Sequence, residues 1–324
     1  MLRRTLLSVA AAVATLSVAG PVLAQAWPAK PVTMVVPFPP GGSTDMIART
    51  LASGLQARLS QTFIVDNKAG ATGTIGAAQV KRAPADGYTL LVASLGPYVI
   101  APHLIKNVPY DATKDFDYIT VAVQAPNVLV VPAAASYKTV ADLIAAEKKA
   151  PGKLTFASSG NGSSDHLTAE LFWAQTGTEG VHVPYKGGAP AITDLLGAVV
   201  DASFQNVNAV IQHINAGKLR ALAVTGDKRS TLLPQVPTLA ESGVKGVDVY
   251  SWQAVAGPKG LPAEVKTKLA TNIAAVLGDP AVKSKLTEQG FEIVANSPEQ
   301  FTKFQAVEFE RWKNVIETRK ITAD

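Results

Sequence analysis

The chain has 324 residues, no cysteine, 17% charged residues and a formal net charge of +5. That length predicts two domains, with enough apolar surface for cores that need no disulfide staples. Lys and Arg are scattered and aromatics do not interleave with them, which excludes a nucleic-acid partner.

The N-terminus decides the compartment. Arg3-Arg4 precede an apolar run from Leu6 to Ala19, and small residues follow, ending Val22-Leu23-Ala24-Gln25-Ala26. Residues 1–26 read as a secretory signal peptide, cut near Ala24 or Ala26. The run is shorter than the ~20 residues a spanning helix needs. No cysteine is present to carry a lipid, so the mature chain is expected free in the periplasm.

The elements then follow in order. Val32–Val36 predicts a short buried strand, and Ile47, Leu51, Leu55 and Leu59 recur at helical spacing after it. Ser43 or Thr44 can cap that helix, with Asp45 complementing its dipole. Phe63–Val65 and Tyr88–Ala93 are further strands, with a helix through Val80 between them. The rhythm restarts with strands at Val128–Val131, Leu154–Ala157, Val181–Pro184, Val199–Phe204 and Leu219–Val224. Strands alternating with helices predict parallel α/β sheets, whose ligands sit at the carboxyl ends of the strands.

The C-terminal third reads as mostly helical. Val265, Leu269, Ile273 and Leu277 share a face, and Ser297-Pro298-Glu299-Gln300 reads as a capping box. Phe301, Phe304, Val307 and Trp312 form an apolar stripe expected to pack inward. Val249–Ala254 can return the chain to the first domain. Residues 27–125 and 252–324 then make a discontinuous first domain around a second, 126–251, hinged by two crossover strands near 120–130 and 247–256.

Three small-residue loops stand where a predicted strand meets a helix: 37–45, 67–73 and 158–166. Gly, Ser and Thr there offer backbone N–H groups, hydroxyls and the positive end of a helix dipole, a seat for a small anion. Catalytic alternatives are poorly supported. Asp165 stands where a dinucleotide fingerprint needs its last glycine, and no phosphate-binding Lys motif exists, so no cofactor is expected. No two of His103, His166, His182 and His213 have i, i+4 spacing, so no metal is expected. Ser163 beside His166 invites an exported serine hydrolase, without a nucleophile elbow or an orienting acid. His166 alternatively caps, packs, or donates to a ligand. Tyr185 and Phe204-Gln205-Asn206 fall at the sheet mouth, as cleft residues or as ordinary turn and core.

On these motifs the chain resembles the Bug-type extracytoplasmic solute-binding proteins of tripartite tricarboxylate transporters. The resemblance runs through Val36–Asp45, Asn67–Gly73, Ala85–Leu91, Tyr110–Phe116, Ser159–Leu167, His182–Gly187, Leu219–Thr225 and Leu233–Thr238. It implies a two-domain, type II-like periplasmic-binding flytrap, each domain a sheet flanked by helices. It implies capture of a small organic carboxylate: a di- or tricarboxylate, an acidic amino acid or an aromatic acid. It also implies delivery to a membrane permease with a large and a small subunit, with no enzymatic step. The ligand-binding residues it implies are Gly42, Ser43, Thr44, Ala71, Thr72 and Ser94 from the first domain. Ser159, Gly162, Ser163, His166, Tyr185, Phe204 and Asn206 come from the second. A sensor role, with the closed receptor docking on a membrane kinase, is the alternative reading.

Overall fold

The computed structural model describes residues 27–322; the segment 1–26, read as a signal peptide, lies outside the described residues. The first half builds as its spacing predicts. Strand β1 (Val32–Val36) leads into α1 (Ser43–Leu59), β2 (Phe63–Asn67) into α2 (Thr74–Lys81), and β3 (Thr89–Ser94) into a π-helical turn, Gly96–Ile100. Ile47, Leu51 and Leu55 are fully buried, one helical turn apart. The cap of α1 differs from expectation. Gly42 holds that position without a side-chain bond, and Asp45 instead reaches back to accept from the Gly41 N–H at 2.9 Å.

After the short α3 (Ala101–Leu104), the crossover strand expected near 120–130 and the strand expected at Val128–Val131 are one and the same. Val128–Val131 is the end of a 17-residue strand, β4 (Phe116–Pro132). Its near-continuous apolar run fits a strand buried on both faces. The second half follows as α4 (Val140–Lys149), β5 (Thr155–Ser158), α5 (Ser164–Thr176), β6 (Val181–Pro184), α6 (Gly188–Leu196), β7 (Ala202–Asn206), α7 (Val207–Asn215) and β8 (Leu219–Val224). Then β9 (Tyr250–Pro258), α8 (Ala263–Leu277), α9 (Pro280–Glu288), β10 (Glu292–Ile293) and α10 (Pro298–Arg319) complete the chain.

The sheets are mixed, where the alternating rhythm predicted parallel ones. β2, β1 and β3 are parallel, but β9 runs antiparallel between β3 and β4. In the second half β6, β5 and β7 are parallel, while β4 lies antiparallel to β7 and β8. Residues of β4 up to Pro126 pair with β9, and residues from Asn127 pair with β7 and β8. Proline has no N–H for a ladder, so it suits the point where the strand changes partners. This is the architecture of a two-domain flytrap, with β4 and β9 as the strands linking the halves.

One apolar core runs through both halves, joining Tyr98, Trp252, Phe301 and Trp312 to Phe156, Phe172 and Phe204. The capping box of α10 forms as expected, Ser297 with Gln300. Its apolar stripe is corrected at Val307, which is 68% exposed. The buried face is Phe301, Gln305, Glu308, Trp312 and Ile316. Two polar residues hold core positions because both are satisfied: Gln305 Nε2 donates to the Tyr98 carbonyl at 3.1 Å, and Glu308 accepts from Trp312 Nε1 at 3.0 Å.

Candidate functional site

The carboxyl ends of both parallel strand sets converge on one cleft of about 1330 Å³. Its walls are the loops after β1, β2, β3, β5, β6 and β7, and its floor includes Ser251 and Gln253 of β9. The first turns of α1, α5, α6 and α7 all contribute residues to the lining. A helix N-terminus leaves N–H groups outside its own ladder, and these and the dipole favour an anion there; at α5 the His166 N–H is already taken by the Ser163 cap. In the second loop, consecutive non-glycine residues Ala71 (φ 46°) and Thr72 (φ 52°) are left-handed. That conformation costs of order 1–3 kcal/mol each and turns this short segment into the cleft wall.

Among the described residues two carboxylates line the cleft, Asp45 and Asp165, and both are spent within the protein. Asp45, 4% exposed, accepts from Gly41 N, Arg49 Nε and Asn67 Nδ2 at 2.9–3.0 Å. Burial works to raise its pKa, but the Arg49 guanidinium, the Gly41 N–H and the Asn67 amide together hold it below the usual range. Asp165 accepts from the Ser159 N–H and Oγ at 2.7 Å and from Gln205 Nε2 at 3.2 Å. Here burial prevails over the hydrogen bonds of Ser163 and Ser159, and the carboxyl is raised. Lys186 is the one basic side chain lining the cleft among the described residues. A bond from Asn208 Nδ2 to Ser43 Oγ, 3.2 Å, spans the two halves. On the other lip, a Cβ at Gly162 (φ +75°) would fall 2.7 Å from Leu104 Cδ2.

Of the residues named from sequence, Gly42, Ser43, Thr44, Ala71, Thr72, Ser94, Ser159, Gly162, Ser163 and Asn206 line this cleft. His166, Tyr185 and Phe204 do not. Phe204 is fully buried, its ring 5.6 Å from Phe172 and 6.4 Å from Phe156. Strand alternation therefore presents its neighbour Gln205 to the cleft. Tyr185 turns away and donates to Asp194 at 2.6 Å. His166, 3% exposed, stands one layer behind the loop: its Nδ1 accepts the Gly162 N–H at 3.1 Å and its ring stacks on His182 at 3.7 Å. Burial and the adjacent His166 push His182 down to about 4.

The hydrolase reading fails on this geometry. The Ser163 hydroxyl donates to the Gly160 carbonyl at 2.5 Å and caps α5, while the His166 ring faces Gly162, Glu170 and His182. No nucleophile–base pair forms between them. The sequence reading put Gln205 at the sheet mouth without naming it for the ligand, and missed Asn208, Ser251 and Gln253; all four are on the cleft wall. For β9 a signal existed: Ser251 and Gln253 alternate with Trp252 in an otherwise apolar strand.

The comparisons agree with this architecture. The sequence model described as the tripartite tricarboxylate transporter family receptor matches residues 47–321. Protein BugT of Bordetella pertussis (strain Tohama I) is 41% identical over 305 residues, 94% of each chain. The solved structure of R. palustris Rpa4515 with adipate superposes with a TM-score of 0.84 at 39% identity, over 91% of this chain and 99% of that one. MatC from Rhodopseudomonas palustris, with bound malate, gives 0.80 at 28% identity, over 90% of this chain and all of that one. Such proteins are receptors that bind solutes, not enzymes. With the cleft, the spent carboxylates and these relatives together, the chain belongs to the tripartite tricarboxylate transporter receptor family, as a Bug-type solute-binding protein.

Proposed function

We propose that this protein captures a small organic carboxylate in the periplasm and passes it to the large and small subunits of a tripartite tricarboxylate transporter permease. The observation that carries the reading is the cleft's charge economy. Helix N-termini and small-residue loops surround it, and its two carboxylates are already committed to the protein's own donors. An anion is thus offered backbone N–H groups, hydroxyls and dipoles with little repulsion from the walls. The adipate and malate held by relatives support the same ligand class.

Residues 27–125 with 252–324, and residues 126–251, act as the two jaws in this proposal. Ligand touches both only in the closed form, and that differential contact drives closure. In this reading the bond between Ser43 and Asn208, which joins the two jaws, forms on closure. The test is a thermal-shift screen of refolded mature protein with C4–C6 di- and tricarboxylates, acidic amino acids and aromatic acids. One chemical class should raise the melting temperature, because ligand binds only the folded chain. No shift with any carboxylate would sink the proposal. Small-angle scattering with the binding acid should show compaction.

A further inference from the structure

Behind the loop that follows β5, two imidazole rings lie face to face. His166 of α5 and His182 of β6 stack at 3.7 Å, 8° from parallel. Both hold the loop from its inner side. His166 Nδ1 accepts the buried Gly162 N–H at 3.1 Å. His182 Nε2 is 2.6 Å from Ser158 Oγ, which accepts the Gly160 N–H at 3.1 Å. Gly160 and Gly162 line the cleft, and Gly162 also packs against Leu104 of the other half. The rings themselves are set back from the cleft lining.

Accepting at Nδ1 fixes the single ring proton of His166 on Nε2, which faces Glu170 Oε1 at 3.8 Å. Glu170 is also paired with Arg319 of α10 at 2.8 Å. Burial works to raise the Glu170 carboxyl, but His166 and Arg319 hold it below the usual range, so an anion stands beside the ring. Asp165, the other acid nearby, accepts the His166 backbone N–H at 3.2 Å and turns its second oxygen to Ser159. A second proton on His166 can go only to Nδ1. The ring then meets the Gly162 N–H donor to donor, and turning it over offers a carbon instead. Either way the Gly162 N–H loses its acceptor. Burial and the adjacent His166 push His182 down to about 4, which leaves His166 as the ring that charges in mild acid. From this geometry we infer that the pair is a pH-sensitive latch on the cleft wall: uncharged, the two rings hold the loop 158–166, and one proton taken up at His166 Nδ1 releases it. The device goes beyond the solute-capture reading and rests on it only for its consequence, a weaker grip on the solute in acid.

Hydrogen exchange of ligand-free, refolded mature protein reads the loop directly. The protection factor of the segment 158–166 should fall at least about tenfold between about pH 8 and pH 5, the range in which an imidazole takes up its proton and the scale on which a buried N–H without an acceptor is felt. His166→Asn puts an amide oxygen near the place of Nδ1, able to accept the Gly162 N–H at every pH, and should abolish that fall. Any response that belongs to Asp165 persists in the variant, so the difference between the two proteins is what counts. An equal fall in both, or none in wild type, overturns the latch. If His166→Asn fails to fold, nuclear magnetic resonance of wild type decides. The His166 ring nitrogens and the Gly162 amide should titrate with one midpoint. Separate midpoints, or a His166 ring that does not titrate in this range, overturn the latch. No solute enters these measurements, so a carboxylate screen without response would remove the receptor reading and leave their outcome standing.

Discussion

Across the cleft, the loop after β1 and the loop after β5 are each closed by a buried aspartate, but only the first has a cation behind it. Asp45 has Arg49 one turn along α1, 2.9 Å away. The residue one turn beyond Asp165 is Ala169, and the donors around Asp165 are neutral. The two carboxyls accordingly move in opposite directions, Asp45 down and Asp165 up. The same task, turning a small-residue loop to face an anion, is thus done once by an ion pair and once by neutral hydrogen bonds. Neither aspartate adds free charge to the cleft.

Neutralising each aspartate is the sharpest way to break that comparison. Asp45→Asn should cost about 2 kcal/mol of unfolding free energy in denaturant, since the Gly41 N–H and Asn67 amide lose a charged acceptor; Arg49, 56% exposed, returns to solvent at little cost. Asp165→Asn should cost about 1 kcal/mol or less at neutral pH, because its donors are uncharged. Equal costs would refute the distinction.

The pH dependence of the same variants should have opposite sign. The contribution of Asp45 is present above the ordinary carboxylate value, 3.8, and is lost as pH falls through its lowered folded value. The contribution of Asp165 is fullest below 3.8 and is lost as pH rises through its raised folded value. Wild type should therefore gain on Asp45→Asn, and lose ground to Asp165→Asn, as pH rises. Slopes of the same sign for the two variants would show that one electrostatic logic serves both loops.

Smaller effects test how the loops meet. Gly162→Ala strains a left-handed residue and drives a methyl against Leu104 of the other half. It should cost about 1–2 kcal/mol and weaken ligand binding. Asn208→Ala removes the bond to Ser43 and should destabilise the closed form by about 1 kcal/mol, seen as a several-fold higher Kd for the solute. Val307→Ser should leave stability within about 0.5 kcal/mol, since that side chain is exposed in spite of its place in an apolar stripe.

Much was legible without coordinates. The four-residue spacing of Ile47, Leu51 and Leu55 fixed a helix face, because any α-helix stacks such residues. The strand at Val32–Val36, the capping box at Ser297 and the small-residue loops were equally local matters. Ten of the residues named for the cleft lie on its wall, because a loop between a parallel strand and its helix must emerge at the sheet's carboxyl end. What remained hidden depended on which way a side chain faces once strands pair. Phe204 and Gln205 are neighbours on β7, and a shift of one residue in register would exchange their faces. Ser251 and Gln253 reach the cleft because β9 returns from the far end of the sequence to lie between β3 and β4. His166 of α5 lies behind its loop, stacked on His182 of β6, a contact between segments 16 residues apart that the helix spacing alone does not reveal. The sequence determined the periodic elements and the anion-friendly loops, which depend on neighbours a few residues apart. Only the tertiary structure decided the cleft's floor, because strand pairing between distant segments sets which alternate residues face inward.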